Sequence, residues 1–511
     1  MCSSDLTVKC DKTDGVALHS RTPVIIGVGQ ITDRPTHDAT FDQRPEPLDL
    51  MAHALERALA DTHAASATRA ALDELVAVGS FTWHPHDPAL LVAQRTGVVA
   101  RTRLTPTGGN IPQKLVHQTA GRILNGEVDV VAVVGSEAMH AASLARKAGQ
   151  RPQWTMQGDE VPRPELVEED RIPFTTEEYS NGLTQPVDVY PLFENARRAR
   201  RGWSLEEQRR QLGALWHQFA LVAEGNPYAW MTSAPSATTI AVPSATNRMV
   251  SFPYTKYLVA NLPVDMGAAY IMASYETAIA LGVPRDRMVF PHMGADATDH
   301  WFVSERPQFD ASPAMSAIWS QLTTFGARAD ELAHIDLYSC FPTVVQTACD
   351  VLGIDAWSTT RPPTLTGGLT FVGGPANNYV IHSIAAMVDR LREHPGEPGL
   401  VTGLGWFSTK HAWGTYSTEP PAKDFQYASV QDRVDAQPKV AVRQEDGPIT
   451  VETYTVVHDR SGDPTRLVVA GRHGDGTRVW STTNDVATMT AAELTEIIGL
   501  TAHVRQGLFH L

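Results

Sequence analysis

The sequence predicts an α/β protein built from two alike halves, with a helical insertion in the first and an antiparallel β-barrel appended to the second. Three observations carry that expectation. Short β-branched runs alternate with helical patterns from residue 22 to about 150, and again from about 257 to 418. The two stretches share segments in the same order: Asp73-Glu74-Leu75 ahead of AVGSF matches Asp330-Glu331-Leu332 ahead of HIDLYSC, and GEVDVVAVVG (Gly126 to Gly135) matches GEPGLVTGLG (Gly396 to Gly405). Two matches in register point to a duplicated domain. After Pro420 apolar and polar residues alternate between Asp-Gly and Ser-Gly-Asp turns, as in an antiparallel meander.

Residues 1–21 are polar and mixed in charge and read as a flexible extension. Thr22 to Gly29 is a short buried strand, and PLDLMAHALERALADT from Pro47 is a helix with Pro in its first turn. Leu72 to Phe81 is a second strand. Thr105 to Asn110 is a Gly-rich turn leading into a helix over Pro112 to Leu124, and GEVDVVAVVGSEAM is a strand apolar on both faces. The first half is placed at 22–256. Within it, 151–250 is an insertion rich in Pro, Arg, Trp and Glu, where Ser204 and Glu207 predict a capping box. The second half, 257–418, begins with DMGAAYIMASYETAIALG as strand and helix. RMVFPHMGA, a helix over Ala314 to Gly326, IDLYSC and PTVVQTACDVLG follow. Leu365 to Ser417 closes it with a Gly-rich loop, a helix from Asn378 to Arg392, a strand from Leu400 to Leu404, and a loop carrying Lys410, His411, Trp413 and Tyr416. Residues 419–511 predict a small OB-like barrel of about six strands and one short helix.

A net charge of −15 over 511 residues argues against a nucleic-acid surface. The sequence has no run of roughly 18 apolar residues for a membrane span and no apolar signal-peptide core. Four cysteines without a pairing pattern (Cys2, Cys10, Cys340, Cys349) predict a reducing, cytoplasmic setting. Gly27-x-Gly29 lacks the third glycine of a dinucleotide loop, and GxSxG, P-loop and HExxH motifs are absent. His84, His86, His292, Asp296, Asp299 and His300 fit no zinc spacing and read as loop polarity, so no metal centre is expected.

The loops of Leu365–Ser417 carry a resemblance. Gly367-Gly368 and Gly373-Gly374-Pro375 stand where thiolases have a GG…GHP loop, and Leu404-Gly405-Trp406 stands where they have C-x-G. Tyr338-Ser339-Cys340-Phe341 matches the NEAF or HDCF position, and DMGAA (Asp265 to Ala269) resembles the DGAA that opens the second half. Over roughly residues 22 to 418 the chain resembles the thiolase superfamily, closest to sterol-carrier-type thiolases and their thiolase-like allies. The resemblance implies a five-layered αβαβα fold of two duplicated halves, coenzyme A as (co)substrate with no covalently bound cofactor, an acyl-CoA partner in lipid metabolism, and pairing into homodimers through the edge strand of the first half. A monomer is the alternative if the insertion or barrel blocks that surface.

The catalytic positions depart from the family. The turn that should supply the acyl-carrying cysteine reads Gly108-Gly109-Asn110; Gly374 replaces the GHP histidine, Leu404 the C-x-G cysteine, and Tyr338 the Asn or His of NEAF/HDCF. Glycine moves no proton and leucine does not ionise, so thiolysis through an acyl-cysteine is not expected. Backbone N–H groups at Gly108, Gly109, Asn110, Gly374 and Gly405, with Asn377, remain as expected substrate or oxyanion contacts. His411, Tyr338, Tyr379 and Cys340 are the candidate catalytic side chains, His411 foremost because its free pKa lies near working pH. Cys340 reads equally as a core cysteine, and the tyrosines as buried aromatics with satisfied hydroxyls. Arg197, Arg198 and Arg201 of the basic run Asn195 to Arg201, with Lys410, are the candidate coenzyme A contacts, against a solvated helix face as the alternative. Two functions stay open beside thiolase-like carbon–carbon chemistry: a catalytically inactive acyl-CoA or lipid binder, and a retro-aldol acyl-CoA lyase of the kind that works with an OB-fold partner. A surviving thiolase using Cys340 is a further one.

Overall fold

The computed structural model describes residues 18–35, 40–168 and 171–511. The expected flexible extension, with Cys2 and Cys10, lies outside them apart from residues 18–21.

The first sheet orders its strands Pro23–Thr32, Asp265–Ser274, Val130–Ala138, Glu74–Ala77, Arg101–Leu104, Glu165–Leu166. Asp265–Ser274 runs antiparallel to both neighbours, while Val130–Ala138, Glu74–Ala77 and Arg101–Leu104 are mutually parallel. The second sheet repeats this without a counterpart of Arg101–Leu104. His334–Asp336 and Gly399–Gly405 are parallel, Lys410–Ser417 is antiparallel to Gly399–Gly405 and to Phe290–Thr298, and Gln426–Ser429 extends the outer edge. The duplication read from the sequence is therefore a repeated topology.

Two boundaries shift. DMGAA does not open the second half: Asp265–Ser274 is the last strand of the first sheet, wedged between Pro23–Thr32 and Val130–Ala138, and the second half starts with Phe290–Thr298. An apolar strand buried on both faces carries no mark of which sheet accepts it. Lys410–Ser417, expected as a loop, is a strand with all eight residues buried, so the alternation that identifies a half-exposed strand is missing.

Two helices, Ile111–Leu124 and Tyr379–Glu393, lie between the sheets and touch both. Outer helices, Pro47–Asp61 on the first sheet and Pro313–Phe325 on the second, complete five layers. Close contact in the middle requires glycine: a Cβ at Gly294 would lie 2.4 Å from the His117 ring, and one at Gly414 would lie 2.2 Å from Gln113 Nε2.

The C-terminal strands Gly447–His458, Pro464–Arg472, Arg478–Thr483, Thr501–Arg505 and Leu508–His510 close a five-stranded barrel. In sequence order the ring reads 1-2-3-5-4-1, with helix Val486–Leu494 between the third and fourth strands, which is the OB arrangement. Residues up to Asp435 still belong to the second sheet and its helix Gln431–Asp435, so the barrel begins later than 419. Met249–Ser251 and Tyr254–Thr255, from the end of the first half, join the barrel sheet.

The insertion is helical over Pro186–Arg201 and Leu205–Glu224. Ser204 Oγ accepts the Glu207 N–H at 3.1 Å, but Glu207 turns its carboxylate to Arg210, so only one side of the predicted capping box forms. The insertion also covers one edge of the first sheet: Glu165–Leu166 runs parallel along Arg101–Leu104. Among the described residues no helix is long and apolar enough to cross a membrane.

Arg198 joins insertion to barrel. Fully buried, it donates to Glu496 Oε1 and Oε2, both at 2.8 Å, and to Asn195 Oδ1 at 2.7 Å. Arg198→Ala leaves Glu496 without its cation but still partly in water, so the expected loss is about 2 kcal/mol, below that of a fully buried pair. Urea unfolding checks this, and a change below about 0.5 kcal/mol would show the tie to be unimportant.

Candidate functional site

The site forms where the turn before Ile111–Leu124 meets the hairpin between Gly399–Gly405 and Lys410–Ser417. Gly109 packs so closely that a Cβ built on it would stand 2.5 Å from the Leu404 carbonyl oxygen and 2.6 Å from Tyr338 Oη. The residue has no room for any side chain. Gly405 is as confined, its Cβ position 2.6 Å from Asn110 Oδ1. Gly108, Gly109, Asn110, Tyr338, Leu404, Gly405 and Lys410 are thus brought together as expected from the loops.

The backbone donors are not all available. The Gly108 N–H is taken by Asn377 Oδ1 at 3.0 Å, while Asn377 Nδ2 donates to the Gly79 carbonyl at 2.8 Å. Asn377 therefore clamps the turn instead of facing a substrate. The Gly374 N–H donates to the Asn261 carbonyl at 2.9 Å, and Gly374 packs against Ala260, Asn261 and Leu369, apart from the cluster. Gly108 and Gly374 are accordingly corrected from oxyanion donors to structural glycines: in both, neighbouring chain satisfies the N–H that a ligand would need.

The hairpin turn is strained and held from two sides. Trp406 and Ser408 both adopt positive φ, 56° and 53°. Tyr190 Oη donates to the Trp406 carbonyl at 2.7 Å and accepts the Ser408 N–H at 2.8 Å, and buried Arg306 donates to the Phe407 carbonyl and Thr409 Oγ1.

Lys410 and His411, which follow this turn, border a cavity of about 320 Å³ together with Asn110 and Lys114. Glu168, Arg171, Asp296 and Trp301 form the rest of its polar wall. Lys410 Nζ donates to the Thr107 carbonyl at 2.8 Å and meets Glu168 Oε1 at 3.3 Å, while Lys114 Nζ reaches Glu168 Oε2 at 2.5 Å. Burial alone would raise the Glu168 pKa, but the two lysines outweigh it and hold the carboxyl below its usual range. Asp296 goes the other way: burial pushes it up, although Tyr427 Oη donates to it at 2.6 Å. Arg171 lies 4.7 Å from the Trp301 ring centre. Asn110 Oδ1 is buried with no hydrogen-bond partner among the described residues.

His411 is fully buried. Its Nε2 stands 3.3 Å from Asp299 Oδ2 and 3.1 Å from the Ser408 carbonyl, and its Nδ1 is buried without a partner among the described residues. Asp299 also accepts from Ser312 Oγ and the Ala314 N–H; burial opposes ionisation, yet His411 and Arg306 prevail and keep it below the ordinary range. The result is a carboxylate-oriented imidazole beside a polar cavity, which is an acid/base arrangement.

The remaining candidates are committed to the core or to ion pairs. Tyr379 Oη pairs with Thr366 Oγ1 at 2.6 Å behind Tyr338, ring centres 5.6 Å apart, and burial raises both phenols well above their usual pKa. Tyr379 is a hydrogen-bonded core tyrosine, and burial keeps both phenols from ionising near neutrality. Cys340 is buried toward Tyr190, its thiol pushed up to about 12 by burial, so it is no nucleophile. The arginines are a correction as well. Arg197 and Arg201 are tied to Asp350, Arg198 to Glu496, and none borders the cavity. Their acidic partners are remote in sequence, which is why the run resembles a free basic patch.

The sequence pattern does not mark Lys114, Glu168 or Arg171, and it reads Asp296 and Asp299 as loop polarity, whereas Asp296 lies within the strand Phe290–Thr298. Lys114 follows Asn110 by one helical turn, the one local signal available. The others converge only through the fold.

The fold and this glycine-framed turn define a thiolase-fold protein that lacks the family's nucleophile. A family model described as thiolase-like protein type 1 additional C-terminal domain matches residues 429–507. The crystal structure of a monomeric SCP2-thiolase like protein type 1 from Mycobacterium smegmatis is 32% identical with a TM-score of 0.81, the match covering 96% of this chain and 99% of that one. The chain belongs to the SCP2-thiolase-like protein type 1 family. A second structure, the Ltp2-ChsH2(DUF35) aldolase, is 17% identical with a TM-score of 0.57 over 78% of this chain and 98% of that one, a likeness of fold alone. No curated protein matches.

Two outcomes follow from the packing. Gly109→Ala should cost about 1–3 kcal/mol by overpacking against Leu404 and Tyr338; urea unfolding unchanged within about 0.5 kcal/mol would contradict the close approach. The central helices also bury two neutral histidines, His117 and His382, whose pKa burial lowers to about 3 from 6.5. The unfolded chain takes up their protons below pH 6.5 and the native chain does not. Stability should therefore fall on acidification from about 6.5 toward 3, by about 1.4 kcal/mol per pH unit for each histidine. Urea midpoints at pH 7 and 5 check this, with His382→Gln expected to flatten the slope.

Proposed function

We propose that the protein is an acyl-CoA-binding member of its family, acting in cytoplasmic lipid metabolism, that holds its ligand without ever carrying the acyl group on a cysteine. The observation that carries this reading is the enclosure of Gly109 by the Leu404 carbonyl and Tyr338 Oη. An acyl-enzyme needs a thiol at that turn and space for the thioester, and the packing there leaves neither. The polar cavity is the feature that favours binding: Lys114, Arg171 and Lys410 line it, and an anionic ligand group would compete with Glu168 for the two lysines, while Asn110 would meet a polar group of the ligand.

A second reading, a lyase cleaving a carbon–carbon bond beside a carbonyl, is favoured by one specific feature. His411, oriented by Asp299 next to Asn110, is placed to move a proton without a covalent intermediate.

Incubation with acetoacetyl-CoA followed by intact-mass measurement should show no adduct, and a thiolysis assay should show no product. Calorimetric titration with acyl-CoA esters should show saturable binding that Lys114→Ala weakens. A covalent adduct on any cysteine, or no binding across a panel of esters, would sink the proposal. His411→Gln separates the two readings: turnover lost by about 100-fold or more with binding intact marks the lyase, and no turnover in the parent marks the binder.

A further inference from the structure

We infer that His334, His394 and Glu397 form a site for a zinc-class divalent cation at the base of the second sheet. Their candidate ligand atoms all lie within 4.8 Å of one another. His334 opens the strand His334–Asp336, His394 ends helix Tyr379–Glu393, and Glu397 sits in the turn leading to Gly399–Gly405. His334 Nε2 stands 2.7 Å from Glu397 Oε2, yet it is buried and lies outside hydrogen-bonding geometry. His394 Nδ1 is 4.0 Å from the same oxygen, and the two imidazole rings are 5.3 Å apart.

A tetrahedral zinc ion with ligands at about 2.0–2.1 Å needs its donor atoms about 3.3 Å apart. The His334–Glu397 pair is slightly tighter than that and the His394–Glu397 pair slightly looser. Both His394 and Glu397 are about half exposed, 45% and 46%, so small rotations of two surface side chains close the geometry. Two imidazoles and one carboxylate select zinc and its neighbours over magnesium or calcium, which take all-oxygen shells. Water completes the fourth position.

The site has a structural consequence. Ala333 N–H already donates to the Pro398 carbonyl at 3.0 Å, and His334 pairs with Gly399 in the parallel register. A bound ion would staple the same junction, joining the ends of one central helix and two parallel strands. Those strands lead to Tyr338 and Gly405, so the ion would brace the frame of the cavity without entering it. This inference is independent of the acyl-CoA reading.

The test uses the untagged full chain stripped with a chelator. Zinc titration by calorimetry should give one equivalent, cobalt should give tetrahedral visible absorption bands, and magnesium should give no heat. Zinc should raise Tm in the parent. His394→Ala and Glu397→Gln, both at exposed positions compatible with folding, should each lose at least about tenfold in zinc affinity and lose the Tm shift. The absence of a stoichiometric zinc site, or equal affinity in the parent and His394→Ala, would overturn the proposal.

Discussion

Two helices buried between two sheets are the constraint on which the rest of this structure depends. Ile111–Leu124 and Tyr379–Glu393 touch both sheets, so their surfaces must be apolar or internally hydrogen-bonded nearly all round. Among the polar residues they carry, Tyr416 Oη donates to Gln113 Oε1 at 2.7 Å, Gln113 Nε2 meets His117 Nε2 at 3.0 Å, and His382 Nδ1 meets Gln30 Oε1 at 3.0 Å. Glycines on the facing strands let the helices approach. Because the helices are parts of duplicated halves, the turns at their N-terminal ends meet at one place, where Asn377 holds Gly108.

That meeting point keeps a frame and changes what fills it. Tyr338 Oη and the Leu404 carbonyl fill the space over Gly109, leaving it no room for a side chain. Lys410 and His411, on the neighbouring strand, line a polar cavity with Asn110 and Lys114. Strain at Trp406 and Ser408 is held by Tyr190 and Arg306, which fixes the direction in which Lys410–Ser417 leaves the turn.

The additions to the core work by covering and tying. Glu165–Leu166 occupies a sheet edge, and the barrel borrows Met249–Ser251 from the first half while Arg198 reaches from the insertion to Glu496. A basic run in an acidic chain therefore serves the domain junction. Its sequence reads as a phosphate contact or a solvated helix face; Asp350, Asp310 and Glu496 make it an ion-pair cluster.

The sequence alone determined the α/β rhythm, the duplication, the helical insertion and the closing barrel, because each is written in local periodicity and turn chemistry. Through the family resemblance it also placed the Gly108-Gly109-Asn110 turn beside the Leu404-Gly405 segment, neither of which carries a cysteine. Only the tertiary structure decided that Asp265–Ser274 closes the first sheet and that Lys410–Ser417 is a strand, since residues buried on both faces lose the alternation that reveals them. It likewise decided that Tyr379, Cys340 and the arginines are spoken for, and that Glu168, Arg171, Asp296 and Asp299 gather around Lys410 and His411. A side chain's partner across the fold sets whether it is a ligand contact or a strut, and no local pattern records that partner.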